Sequence, residues 1–176
     1  MAHDAYLVFT KGVQGVWPKG ESKVGDDEGA IMLTDQWGFA LENKLNIGPQ
    51  TMGAGAGKAE FEAFTIKKQI DKASSHLLEA CGRVCHFNDV KLKLRKSTGS
   101  GTGKMNNYLT WTFQMLAVEK VEWTYGDPAP EETVTFKFGV CKIEYKMQDD
   151  QGNLTQAGQG IWNQVDNNNT EKIASR

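Results

Sequence analysis

Apolar and polar residues alternate along most of this chain. Residues 90–96, VKLKLRK, show it most cleanly. Val90, Leu92 and Leu94 point one way and Lys91, Lys93 and Arg95 the other, the period of a half-buried strand. The same period predicts strands at 5–10 (AYLVFT) and at 30–41 (AIMLTDQWGFAL, bent near Gly38). A further strand at 60–70 has Phe64, Ile66 and Ile70 on one face and Thr65, Lys67 and Gln69 on the other.

Two later segments are longer and change phase. Leu109, Trp111, Phe113, Met115 and Ala117 share a face; after Val118 and Glu119 the apolar set moves to Val121, Trp123 and Tyr125. Val134, Phe136, Phe138 and Val140 likewise give way to Cys141, Ile143 and Tyr145. A slip inside a long strand predicts a bulge or bend at which one strand serves two surfaces. Between strands, 12–29, 42–58 and 97–104 read as loops rich in glycine and turn residues. From Gln148 the chain is polar, with one last short strand expected around 160–165.

Only 71–82, DKASSHLLEACG, changes to a helical period. Asp71 or Ser74 can cap its start and Gly82 its end. Leu77, Leu78 and Cys81 form the expected buried stripe. The prediction is a mainly β fold: a small antiparallel β-barrel or curled sandwich with one short flanking α-helix. It forms a single domain over 1–165, followed by a polar, frayed tail at 166–176.

Charge and composition narrow the partners. Of 176 residues, 39% are hydrophobic, enough for one sizeable core. A net charge of −2 gives no bulk attraction for nucleic acid. Lys91, Lys93, Arg95 and Lys96 form a basic face, but no exposed aromatics interleave with it, so a solvated face or subunit contact is expected instead. No apolar run approaches the roughly 18 residues of a membrane-spanning helix, so no membrane insertion is expected. The opening MAHDAYLVFTKG lacks the basic-then-apolar order of a secretory signal. The expectation is a protein made in the cytoplasm without a signal peptide. Three cysteines suit reduced thiols better than a disulfide framework.

Candidate chemistry is sparse. MGAGAGKAEF at 52–61 resembles a phosphate loop, but Met52 stands where its first glycine belongs and Ala59 where its hydroxyl belongs. A dinucleotide reading fails at Lys58. Cys81, Cys85 and His86, with Cys141 as a further ligand, could hold a metal, although the spacing matches no standard site. Ser74, Ser75 and His76 suit a helix start better than a hydrolytic triad. Asp26, Asp27 and Glu28 read as a solvated acidic loop. No catalytic residue and no cofactor is therefore expected. The residues alone leave an assembly module open beside a monomeric β-barrel that binds a small apolar ligand among Trp111, Phe113, Phe136 and Phe138.

An ordered set of segments resembles the haemolysin-coregulated protein (Hcp) family of type VI secretion. It comprises MAHDAYLVF, KGESK at 19–23, Trp37-Gly38, FTIKKQIDKASSHLLEAC at 64–81, VKLKLRK, EETVTFKFGVCKIEY at 131–145 and GIWNQVDNNN from 160. The resemblance implies a homohexameric ring, stacked into a tube inside a contractile sheath and expelled with a spike. Effector proteins would ride and be chaperoned in the lumen, and the protein would leave through that apparatus. Gly53, Gly55, Gly57 and Lys58 are then expected in a mobile loop at a ring face, where neighbouring rings meet.

Overall fold

The computed structural model describes residues 4–34, 36–46, 55–97 and 105–173. In chain order the strands are β1 (Asp4–Phe9), β2 (Ile31–Leu33), β3 (Trp37–Gly38), β4 (Leu41–Asn46), β5 (Gly55–Phe61) and β6 (Phe64–Gln69). The helix α1 (Ala73–Arg83) follows, then β7 (His86–Phe87), β8 (Val90–Ser97), β9 (Met105–Gln114) and β10 (Leu116–Thr124). The last three are β11 (Glu131–Lys137), β12 (Val140–Gln148) and β13 (Leu154–Asn163).

Two antiparallel sheets face each other, ordered β13-β12-β9-β8-β1-β2 and β3-β6-β11-β10-β7. Hairpin β4-β5 forms a separate two-stranded sheet. Among the described residues no strand pairing joins the two large sheets, so the fold is a curled sandwich rather than a closed barrel.

Each of the two long segments is two strands in different layers rather than one bent strand, and the first break comes at Met115, ahead of the slip expected after Val118. β9 lies in the six-stranded sheet and β10 in the five-stranded one. Met115 turns the chain between them with φ +54. β11 and β12 change layer in the opposite sense at Gly139, whose N–H donates to the Gln114 carbonyl at 3.1 Å. A Cβ on Gly139 would sit 2.8 Å from Val165 Cγ2, so a side chain at this corner would have to push Val165 aside. The slip expected after Val118 is present too, as a bulge between Val118 and Lys120.

All eight phenylalanines join one aromatic cluster between the sheets. Phe64 and Phe113 stack at 4.8 Å. Phe39 meets Phe64, Phe113 and Phe138 edge-on, the geometry favoured by ring quadrupoles. Phe113, Phe136 and Phe138 are buried against their neighbours. They fill the interior where a ligand-binding barrel would need them to line a void.

The helix differs from expectation at its face and its end. Its start uses both capping candidates: Asp71 Oδ1 accepts from the Ala73 N–H at 2.9 Å, and Ser74 Oγ accepts from the Asp71 N–H at 3.1 Å. Its buried residues are Ala73, Ser74, Leu77 and Ala80. Leu78 is exposed and Cys81 half-buried. The contact face thus pairs one large apolar side chain, Leu77, with three small residues. Gly82 lies inside the helix; Val84, at φ +52, ends it.

The polar C-terminal region holds more strand than expected. β13 pairs with β12 along its length, and residues 164–173 turn back across the Gly139 corner, where Ile173 Cδ1 would lie 3.6 Å from a Cβ on Gly139.

Candidate assembly surfaces

Cross-strand partners share a face, so the register extends the core rows across the six-stranded sheet. One row runs Leu92, Trp111, Ile143, Gly160 and another Leu94, Leu109, Tyr145, Gly158. Leu92 and Leu94 are buried, yet Ile143 is 39% and Tyr145 41% exposed. The five-stranded sheet does not cover this end. An open groove of about 300 Å³ remains there, with Phe39, Leu41 and Phe61 on one side and Trp111, Ile143 and Gly160 on the other. Beside it the buried Trp162 indole N–H has no hydrogen-bond partner.

Hairpin β4-β5 replaces most of the long loop expected at 42–58. Gly53 lies outside the described residues; Gly55, Gly57 and Lys58 lie on β5. Gly57 has a structural cause, since a Cβ there would meet the Lys44 carbonyl oxygen at 2.6 Å. The crowding sits at a bulge between Asn43 and Leu45. The pair Gly57-Lys58 is mid-strand rather than at a helix start, which removes the phosphate-loop reading geometrically. Leu41 and Leu45 stay exposed, at 50% and 58%. The hairpin base is tied down: the Phe61 N–H donates to Gln164 Oε1 at 2.8 Å, and Gln164 Nε2 donates to the Phe138 carbonyl at 2.7 Å.

Two ion clusters lie elsewhere in the fold. Lys68 continues the Phe64, Ile66 row into the core and is fully buried. Its Nζ lies 2.6 Å from Glu132 Oε2, 2.7 Å from Asp71 Oδ1 and 3.0 Å from Ser74 Oγ. Ser74 Oγ donates to Glu132 Oε2 at 2.9 Å, and Trp123 Nε1 donates to Glu132 Oε1 at 2.8 Å. Every charge is paired inside a low-dielectric site, as a buried charge requires. Ser74 is thereby committed to structure and is no nucleophile for His76.

The second cluster corrects the reading of a solvated acidic loop and an exposed basic strand face. Asp27 is 1% and Arg95 5% exposed. Arg95 and Lys93 do point away from the aromatic core, but the 20–30 segment folds over them. Asp27 Oδ1 meets Lys93 Nζ at 2.5 Å and its Oδ2 meets an Arg95 terminal nitrogen at 2.6 Å. Arg95 Nε donates to Asn107 Oδ1 at 2.9 Å. Backbone bonds between Gly20 and Gly29 and between Ser22 and Gly29 close the segment.

The cysteine candidates do not converge. Among the described residues no three His, Cys, Asp or Glu side chains are grouped to hold a metal ion. Cys81, Cys85 and Cys141 are free thiols. Cys85 is buried in the core, His86 faces outward, and Cys81 Sγ lies 3.6 Å from the Glu119 carbonyl. Burial pushes the Cys141 thiol up to about 12.

Comparison with known proteins gives the family. Residues 6–145 match the family model described as type VI secretion system effector, Hcp. Protein hcp1 of Pseudomonas aeruginosa is 30% identical over 93 residues, a stretch covering 52% of this chain and 56% of that protein. The chain thus matches only about half the length of that curated relative. A solved type six secretion system protein superimposes with a TM-score of 0.81 at 23% identity, over 96% of this chain and 100% of that one. Hcp1 from Salmonella typhimurium gives 0.65 at 24% identity, over 97% and 100%. These two likenesses establish a shared fold, and the family model covers most of the sequence. The chain belongs to the Hcp family of type VI secretion system proteins.

Proposed function

We propose that this chain is a self-assembling tube subunit of a type VI secretion apparatus. Six copies close into a ring, rings stack into a tube, and the lumen carries and chaperones small effectors. Its partners are then its own copies, the sheath, the spike and the effectors, and its role is mechanical rather than catalytic. Residues 1–165 are the assembling domain, with 166–176 an appendage. Gly53, Gly55, Gly57 and Lys58 belong to an arm that meets a neighbouring copy at a ring face.

One observation carries this reading: the apolar rows of the six-stranded sheet continue past the second sheet and end exposed at Ile143 and Tyr145. A contiguous apolar surface of this kind marks a protein contact. Two different patches meeting head-to-tail close into a ring. Light scattering after size exclusion, with negative-stain electron microscopy, tests it. The expected result is a hexamer mass and annular particles; a strict monomer at high concentration refutes it.

A further inference from the structure

Trp162 lies on β13 in the cross-strand row Phe113, Cys141, Trp162, on the face that looks into the sandwich. Its indole Nε1 is sealed from solvent, and among the described residues it donates to nothing. A buried indole N–H usually has a partner. Two others in this fold do: Trp17 Nε1 donates to the Phe9 carbonyl at 2.8 Å, and Trp123 Nε1 donates to Glu132 Oε1 at 2.8 Å. Leaving a buried donor unpaired is destabilising.

Trp162 is part of the lining of the open groove of about 300 Å³. That volume lies at the lower end of the range of small-molecule sites. Phe39, Leu41 and Phe61 on one side face Trp111 and Ile143 on the other. Among the described residues, none that lines the groove carries a hydroxyl, a carboxamide or a charge. A water needs two or more polar partners, so it is poorly placed to satisfy the indole there. An apolar molecule that brings one acceptor meets both demands.

Gly160 supplies a second, independent sign. It ends the row Leu92, Trp111, Ile143, Gly160, in which every other member is large. Its φ lies outside the positive range that calls for glycine. A Cβ there would touch only Ile143 Cγ2, at an ordinary 3.5 Å. Neither backbone nor packing requires a glycine, and inside a strand such a residue often marks a place that a ligand approaches. The missing side chain keeps the floor of the groove open.

We propose that this groove binds a neutral aromatic molecule carrying one carbonyl group. The carbonyl accepts from Trp162 Nε1, and the ring lies over Gly160 against Trp111 and Phe39, which themselves meet edge-on at 5.9 Å. Aromatic walls favour an aromatic guest. The lack of a charged lining residue disfavours an ionised one. Ile143 also belongs to the rows read above as a subunit contact, but the site is complete within one copy and does not rest on that reading.

Equilibrium dialysis of the full chain against 2-acetylnaphthalene and 2-ethylnaphthalene tests this, because a methylene in the second replaces the carbonyl of the first. The wild type is expected to hold the ketone at least roughly tenfold more tightly, the effect of one hydrogen bond to a buried orphan donor. Trp162→Phe keeps a ring and loses the N–H, so it should bind the two probes equally. Gly160→Leu should fill the floor and bind neither, with a melting temperature no lower than that of the parent. No binding by the wild type, equal binding of the two probes by it, or a ketone preference that survives Trp162→Phe overturns the proposal. A folded Gly160→Leu that binds the ketone as well as the wild type overturns it too. Should Gly160→Leu fail to fold, the Trp162→Phe comparison decides alone. A strict monomer that binds the ketone refutes the ring reading and leaves this one standing.

Discussion

Lys68 Nζ and Glu132 Oε2 lie 2.6 Å apart, and neither side chain has any exposure to solvent. They join β6 to β11 beneath the helix start, with Asp71, Ser74 and Trp123 completing the shell. Removing Glu132 leaves the buried Lys68 with Asp71 as its one remaining acid in the cluster. Glu132→Ala should lower unfolding free energy by about 3–5 kcal/mol. The paired change Lys68→Met with Glu132→Leu should cost less, since the charge left behind, on Asp71, keeps some access to water. Urea titration of the three proteins checks both statements.

Asp27 plays the same part for the 20–30 segment. Asp27→Ala leaves the buried Arg95 and the half-buried Lys93 without their shared acid, so the segment should lift from the sheet. Limited trypsin digestion should then cut at Lys19 or Lys23 at least roughly tenfold faster than in the parent, the effect of a local opening made easier by more than 1.4 kcal/mol.

Val84 ends the helix with φ +52 and is 62% exposed. A β-branched residue is strained in that region, and glycine is not. Val84→Gly should therefore raise stability, by about 1 kcal/mol. A melting temperature that falls instead would show that the Val84 side chain contributes contacts outweighing the strain.

The Cys141 thiol, shifted by burial from 9.0 to about 12, makes stability depend on alkaline pH. Between those values the unfolded chain has lost the proton that the folded chain keeps. The contribution is therefore complete below pH 9 and falls as pH rises towards 12, with a limiting slope of about 1.4 kcal/mol per pH unit. Cys141→Val should flatten that part of the stability profile. At pH 8 the native thiol should resist iodoacetamide until the protein unfolds.

Gly57→Ala should disturb hairpin β4-β5 alone, because its methyl group would press on the Lys44 carbonyl. Hydrogen exchange should quicken across β4 and β5 while the Phe64 and Phe113 amides keep their protection. Unchanged exchange in the hairpin would rule out this crowding.

The sandwich was legible wherever one face of a strand meets the core and the other meets water, as in β8 and β11. The second layer change fell beside the slip at Val140 and Cys141, whereas the first, at Met115, came ahead of the slip after Val118. Strands with two half-exposed faces left no such trace, so β4, β5 and most of β13 read as loop or tail. Lys68 and Glu132 were in phase with Phe64 and Val134, which was the available sign of their burial, but a charged side chain reads as solvated until its partner is known. Asp27 lay beyond reach because its partners are more than 60 positions away. At Gly57 the glycine has a cause the sequence does not show, a tight approach to the Lys44 carbonyl.

At Met115 and Gly139 the chain passes from one layer to the other in opposite senses, joined there by a hydrogen bond from Gly139 to Gln114. The two sheets are thus stitched by paired covalent crossings as well as by side-chain packing. A push that slides one layer over the other is resisted at this seam by peptide bonds, whereas at the uncovered end near Ile143 only soft contacts resist it. The margin at the Gly139 seam is therefore expected to yield less under load than the uncovered end near Ile143.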